Sequence, residues 1–416
     1  MYFLKSVQET KLKRVVVTGL GMINSVGQDK ESSFSAILNG ECGIKEIELF
    51  DASKFSVRIA GEIVGFDPST VMDAKEVKKA DRFIQLGIKA TQEAIVDANL
   101  PSNIDKERFG ISSASGIGGL PNIEKNSVVC ENRGPRRISP FFIPSSLVNM
   151  LGGFISIEHG IKGPNLASVT ACAAGTHAIA EATKTIMLDG ADRMLVIGAE
   201  SAICSAGIGG FAAMKALSTN NENPKEASRP FDADRNGFVM GEGAAALILE
   251  DYELAKARGA KIYAEVVGFG ESGDANHITT PVVDGPLRAM KAAMRMAGDV
   301  KIDYINAHGT STPANDKNET AAIKELFGGA QNCPPVSSIK GQIGHCLGAA
   351  GAIEAVVSLM AMRDGKLPPT INYTTPDENC DLDYVTDGVR EAQINTVMSN
   401  SFGFGGTNGV VIFKKI

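Results

Sequence analysis

Ala173–Gly190 reads AAGTHAIAEATKTIMLDG and Leu347–Gly365 reads LGAAGAIEAVVSLMAMRDG. In each, apolar residues recur at helical spacing and an Asp-Gly pair closes the run, which predicts helices over 173–189 and 347–364. The first follows Ser168-Val-Thr170 and Cys172, the second follows Val336-Ser-Ser338 and His345. A short extended segment, a turn with a reactive side chain and a helix are thus met twice. Working outward, β-branched or apolar runs that end near glycine predict strands: Arg14–Thr18 before Gly19-Leu-Gly21, Phe109–Ser113, Met194–Ile197, Tyr263–Val267 before Gly268, and Asp303–Ala307 before His308. Helical patterns over 82–98 and 285–297 lie between them. Alternation of strand and helix defines a layered α/β protein. The paired features divide it into two similar α/β halves, 13–255 and 256–416, in preference to one sheet. The join falls at Asp251–Lys261, where Tyr252–Gly259 supplies a helix and a glycine stop, and the Asn-, Asp- and Arg-rich stretch 218–238 is an excursion from the first half.

Composition narrows the function. With 416 residues, 44% hydrophobic and 21% charged, the chain has the makeup of a soluble globular protein with a sizeable core. Its net charge of -7, from 41 Lys and Arg against 48 Asp and Glu, provides no basic field for nucleic acid. Residues 1–13 lack the apolar core of a secretory signal and are read as a leading arm. No apolar run approaches the roughly 18 residues of a membrane span, so a cytoplasmic protein is expected. The 7 cysteines are scattered, with no Cys-x-x-Cys pair, which argues against a disulfide framework or a zinc site. Most are expected to be reduced, buried small hydrophobes.

Chemistry concentrates in three turns. Thr170-Ala-Cys172-Ala-Ala-Gly175 sets Cys172 at a helix N-terminus, where unsatisfied N–H groups favour a thiolate and can hold an oxyanion. His308 projects from the carboxyl end of a strand into Gly309-Thr-Ser-Thr312, and His345 shares a glycine-rich turn with Lys340. The other histidines, His159, His177 and His277, lack such turns and are assigned to structure. Asn400-Ser-Phe402-Gly-Phe404-Gly-Gly-Thr407-Asn408 is a glycine loop able to cradle an anion or gate an apolar pocket. It has no Gly-Lys-Ser/Thr, and Gly19-Leu-Gly21 lacks the third glycine of a dinucleotide site and is taken as a close-packing turn. A thiolate that accepts an acyl group and two imidazoles that bind a second thioester's carbonyl suit thioester chemistry. A Cys-His hydrolase fits the same residues.

These turns, with Ser139-Pro-Phe-Phe-Ile-Pro144, Lys215-Ala-Leu-Ser218, Ser228-Arg-Pro-Phe-Asp232 and the closing Ile412-Phe-Lys-Lys-Ile416, resemble the β-ketoacyl-acyl-carrier-protein synthases from about Lys13 to Ile416. The look is closest to the type II enzymes of bacterial fatty-acid elongation. The resemblance implies a thiolase-like fold with an α-β-α-β-α core, a homodimer, and acyl carrier protein as partner, with no required cofactor. It implies that Cys172 holds the acyl chain, that His308 and His345 bind the malonyl thioester, and that Lys340 pairs with Glu354. Backbone N–H groups of Cys172 and Phe404 would form the oxyanion hole. Ile117, Phe211 and, from the partner subunit, Phe142 would line the acyl pocket, with Phe402 and Phe404 at its gate. Thr310, Thr312 and Thr280 match positions near phosphopantetheine, and Asn306, Glu354, Ser399 and Asn400 match a monovalent-cation site of some members. An acidic carrier needs a basic patch; the candidates are Arg136, Arg137 and Lys215, then Lys75, Lys78, Lys79 and Arg82. A Cys-His-His set differs from the Cys-His-Asn of initiating synthases and from thiolases, whose second cysteine neither Cys346 nor Cys380 matches. A polyketide or specialised-lipid ketosynthase of the same mechanism is the main alternative.

Overall fold

Gly19 and Gly21 do not end the first strand, contrary to the turn expected there. Strand β1 runs unbroken over Val15–Asn24, and the glycines are where a helix lies on it. A Cβ at Gly19 would meet the Ala94 carbonyl oxygen at 2.3 Å, and one at Gly21 the Ala90 oxygen at 2.0 Å. Both alanines belong to helix α1, Arg82–Ala98. The close-packing role thus holds while the turn does not. The structure, a computed structural model, describes residues 12–416; of the arm expected at residues 1–13, residues 1–11 lie outside them.

After α1 come β2 (Phe109–Ala114), α2 (Asn149–His159), β3 (Asn165–Ser168), α3 (Ala174–Met187), β4 (Arg193–Glu200) and β5 (Gly243–Asp251). The same succession then recurs as β6 (Ala264–Gly273), α4 (Asp284–Ala297), β7 (Tyr304–Asn306), α5 (Pro313–Phe327), β8 (Val336–Ser337), α6 (Ala350–Asp364), β9 (Thr396–Gly403) and β10 (Thr407–Lys414). The 10-stranded sheet has the order β3-β2-β4-β5-β1-β6-β10-β9-β7-β8. From the centre outward, the two sets occupy equivalent places. Directions agree too: β2 runs parallel to β3 and β4, as β7 does to β8 and β9, and the other neighbours are antiparallel.

The repetition reaches single contacts. In β6, a Cβ at Gly268 would meet the Ala293 oxygen of α4 at 2.4 Å and one at Gly270 the Ala289 oxygen at 1.9 Å, repeating the seat of α1 on β1. Strand β6 therefore runs on to Gly273, past the stop expected at Gly268. One expectation is corrected: the two sets do not form separate sheets. Val16 pairs with Glu265 and Val17 with Ala264, and this short antiparallel contact makes the sheet continuous.

Alternation along the strands builds five layers. Leu195, Ile197, Ala244, Ala246 and Ile248 face α1 and α2, while Met194, Val196, Ala245, Leu247 and Leu249 face α3 and α6. On the other side Val397, Val411 and Phe413 meet α6, and Met398, Val410 and Ile412 meet α4 and α5. Helix α6, between two sheet faces, is buried throughout Ala350–Met362, which its nearly all-apolar composition requires. The stretch 218–238 does not stay with the first set. Asp232 accepts from the Thr374 and Thr375 N–H groups at 2.6 and 2.7 Å, and Arg235 donates to Asp377 at 2.7 Å, so it is clamped to the second.

Candidate active site

Between β3 and α3 the chain makes a 3-10 turn, Ala171–Ala173. Ala171 holds φ +49°, a left-handed conformation that stores strain in a residue with a Cβ. The turn delivers Cys172 to the start of α3, as expected. The β9–β10 hairpin lies against it: a Cβ at Gly403 would stand 2.9 Å from the Thr170 oxygen, and the Phe404 backbone N–H donates to the Cys172 sulfur. Cys172 is partly exposed as a residue, yet its sulfur is enclosed. Burial pushes the thiol up to about 12, against the pull of the Lys340 charge and the Phe404 N–H, while Glu200 and Glu354 push it further. This works against the thiolate that the helix start favours. Desolvation outweighs the helix start, and the proton must leave during reaction.

The proton acceptors face the same space. His308 follows β7, and His345 follows a single helical turn, Lys340–Ile343. Their ring centroids lie 5.3 Å apart with planes at 83°. Burial first, then the Lys340 charge, lowers both well below the ordinary value, and His345 adds to the effect on His308. Both imidazoles are thus neutral near pH 7. His308 Nδ1 and both ring nitrogens of His345 have no hydrogen-bond partner among the described residues.

Neutral burial makes stability depend on pH with a definite sign. Below the ordinary histidine pKa of 6.5 the unfolded chain binds protons that the folded chain refuses. Stability present above that pH is lost as pH falls, by about 1.4 kcal/mol per unit for each histidine. Melting temperatures recorded from roughly pH 6.5 down to pH 5.5 should fall steeply for the wild type and less so for His308→Asn and His345→Asn. Equal slopes in all three would contradict the assignment.

Lys340 sits behind the imidazoles, 1% exposed. Its Nζ donates to the His308 carbonyl oxygen and to the Glu354 carboxylate. Burial raises Glu354 to about 7 despite the lysine. Two acids that sequence reasoning missed hold the His308 loop from helix α5. His308 and Gly309 N–H groups donate to Glu319 at 2.9 and 2.8 Å, and Thr310 and Ser311 N–H groups donate to Asp316 at 3.0 and 3.2 Å. Their signal was present as an acid pair, Asp316 and Glu319, at helical spacing just after the histidine loop.

A cavity of about 320 Å³ has Cys172, His308, His345, Phe211, Phe402 and Phe404 on its wall. Thr280, Thr310, Thr312 and Lys215 line it as well, and so does His277, which the sequence assigned to structure. Phe404 is 37% exposed and its ring lies 6.4 Å from that of Phe211. Ile117 packs with Cys172 and Phe211 in an apolar cluster but is not on the cavity wall. Phe142 is also absent from that wall and opens a separate short helix, Phe142–Ser146. The expected Asn400–Asn408 loop is shorter than read. Asn400–Gly403 completes β9 and Thr407 begins β10, because ladder pairing extends into the glycine run and leaves residues 404–406 as the turn.

Among the basic candidates, Lys75, Lys78, Arg136, Arg137 and Lys215 are exposed, and Lys79 pairs with Glu76 at 2.5 Å. Arg82 is withdrawn from the surface set: buried Glu242 binds it through two hydrogen bonds of 2.8 and 2.7 Å. Deeper in the fold, Asn306 Oδ1, Glu354 Oε2, Ser399 Oγ and Asn400 Oδ1 are buried without a hydrogen-bond partner among the described residues. Ser399 and Asn306 are register partners on β9 and β7. Oxygens of this kind are what a hard cation binds, although Asn400, next to Ser399 in the strand, turns its amide toward Glu319 and Met290. No group of three or more His, Cys, Asp and Glu suited to a metal occurs among the described residues.

The frame decides the class. One sheet built twice, with the thiol before the central helix of one set and the imidazoles on turns of the other, is the thiolase-like fold of acyl-transferring enzymes. The family models "Beta-ketoacyl synthase, N-terminal domain" and "Beta-ketoacyl synthase, C-terminal domain" match residues 12–255 and 263–374. The chain belongs to the β-ketoacyl synthase family. It is 49% identical over 409 residues to "3-oxoacyl-[acyl-carrier-protein] synthase 2" of Coxiella burnetii and 50% identical over 411 residues to the protein so named in Vibrio cholerae, covering 97% of this chain and 99% of each relative. Among solved structures, a β-ketoacyl synthase from Burkholderia phymatum superposes with TM-score 0.90 at 33% identity, covering 97% of this chain and 100% of that one. A type II polyketide ketosynthase in complex with its acyl-carrier protein gives TM-score 0.88 at 33% identity with the same coverage. Among the described residues no helix is long and apolar enough to cross a membrane.

Proposed function

We propose that this chain is a β-ketoacyl-acyl-carrier-protein synthase that lengthens fatty acyl chains by decarboxylative condensation with malonyl-acyl carrier protein. The observation that carries this reading is the pair of neutral imidazoles, with ring nitrogens left unpaired, on the wall of the cavity that holds the Cys172 thiol. A Cys-His hydrolase needs one base beside its nucleophile; a second imidazole suits the carbonyl oxygen of a second thioester. In the first half-reaction the Cys172 sulfur, losing its proton, attacks the acyl thioester carbonyl. The bond to the carrier's sulfur breaks, that sulfur takes a proton, and the acyl group stays on Cys172. Backbone N–H groups of Cys172 and Phe404 hold the oxyanion. In the second, His308 and His345 hydrogen-bond the malonyl thioester oxygen, the bond to the carboxylate breaks and CO2 leaves with the electron pair retained on the α-carbon. That carbon attacks the acyl carbonyl, a carbon–carbon bond forms, and the Cys172 thiolate departs and is reprotonated.

The same reading covers the remaining parts. Thr310, Thr312 and Thr280 receive the phosphopantetheine arm, Phe211, Phe402 and Phe404 bound the acyl end, and Lys215, Arg136 and Arg137 meet the acidic carrier. We take the halves 13–255 and 256–416 as the product of a duplication, supported by the strand order. A cytoplasmic site agrees with all 7 cysteines being free. Leu166 on edge strand β3 and Val169 just beyond it are exposed, which supports a homodimer in which Phe142 of the partner subunit joins Ile117 in completing the pocket. Asn306, Glu354, Ser399 and Asn400 would hold a monovalent cation, which would offset the Glu354 charge. The polyketide alternative is less supported, since relatives named for the acyl-carrier synthase reach 49–50% identity against 33% for the type II polyketide ketosynthase.

Incubation with acyl-acyl carrier protein and malonyl-acyl carrier protein tests the reaction. We expect one CO2 for each 3-oxoacyl thioester formed. Release of free fatty acid without CO2 would favour the hydrolase instead.

A further inference from the structure

His177 lies near the start of α3, buried to 9% exposure, and both of its ring nitrogens are engaged. Nδ1 pairs with the Thr170 hydroxyl at 2.7 Å and Nε2 with the Asn408 carbonyl oxygen at 3.2 Å. A carbonyl only accepts, so Nε2 carries the proton and Nδ1 accepts from Thr170. Thr170 immediately precedes strained Ala171 in the nucleophile turn, and Asn408 stands in β10 just beyond the Phe404 turn. A second bond runs alongside, from the Thr407 hydroxyl to the Thr170 carbonyl oxygen at 3.1 Å. The packing leaves no slack. A Cβ at Gly409 would meet the imidazole at 3.1 Å.

We propose that His177 is a positioning residue that fixes the separation of the Cys172 and Phe404 backbone N–H groups on which the oxyanion rests. The inference rests on the function proposed above. Neither N–H is steered by its own side chain; each goes where its turn carries it, and the two turns come from different halves of the fold. The His177 imidazole, anchored in α3, bonds to a residue flanking each, Thr170 and Asn408. None of its recorded bonds goes to His308, His345 or Lys340, so malonyl decarboxylation does not depend on it. Losing the imidazole therefore slows acyl transfer to and from Cys172 and leaves CO2 release from malonyl thioester in place.

The test uses full-length His177→Ala and His177→Gln and follows two rates: acyl loading of Cys172 from acyl-acyl carrier protein by intact mass, and decarboxylation of malonyl-acyl carrier protein without an acyl donor. Acyl loading should slow about 10- to 100-fold in the alanine variant. Glutamine, which retains a donor and an acceptor, should lose less, and decarboxylation should stay within about threefold of wild type in both. Equal loss of the two rates, as a general packing defect would give, overturns the proposal, and so does unchanged loading. If the alanine variant does not fold, the glutamine variant supports the same comparison of rates. Wild-type protein that takes up no acyl group would instead refute the underlying function.

Discussion

Cys172→Ala is expected to reduce condensation by about 10,000-fold or more, the scale reached when a covalent nucleophile is removed. In the proposed reaction the sulfur carries the acyl chain between the two half-reactions, and the neighbouring thiol is a poor replacement. Cys346 is 1% exposed, and burial pushes its thiol above the ordinary range. Alanine is already the residue on either side of Cys172, so the strained turn should persist and the melting temperature should move little. Malonyl decarboxylation should survive, because the imidazoles and Lys340 remain. Product assays alongside CO2 release would check this. Condensation within tenfold of wild type would rule out Cys172 as the acyl carrier.

Lys340→Met should have the largest effect on stability, a loss of about 3–5 kcal/mol. The substitution leaves Glu354, 1% exposed, without its cation, and leaves the His308 carbonyl without a donor. Glu354 already sits at about 7, so it can evade part of the penalty by binding a proton. The loss should therefore grow as pH rises through neutrality, and Glu354→Gln added to Lys340→Met should recover part of it. Denaturant midpoints at constant m would report both. A loss below about 1 kcal/mol, independent of pH, would show that the pair contributes little.

Much of this was legible because the signals are local. The helices around residues 82–98, 284–297 and 350–364 carry their own periodicity, and the turns at Cys172, His308 and His345 are marked by glycine and small residues. What was not legible depends on distant partners. Gly19 and Gly268 look like strand ends, yet each lies within a strand because a helix backbone needs its missing Cβ. Arg82 looks like one more surface cation until Glu242, 160 residues away, is seen to hold it. The Cys172 thiol looks activated by its helix, but burial raises it. His177 was set aside as structural because its partners, Thr170 and Asn408, are joined only by the fold.

The central claim is that Cys172 holds the growing chain, and it is tested most directly by intact-mass measurement after brief mixing with acyl-acyl carrier protein. The wild type should gain one acyl mass, located on the peptide that contains Cys172, and release it as 3-oxoacyl product when malonyl-acyl carrier protein is added. An adduct that persists in Cys172→Ala, or one that malonyl-acyl carrier protein cannot discharge, would contradict the account.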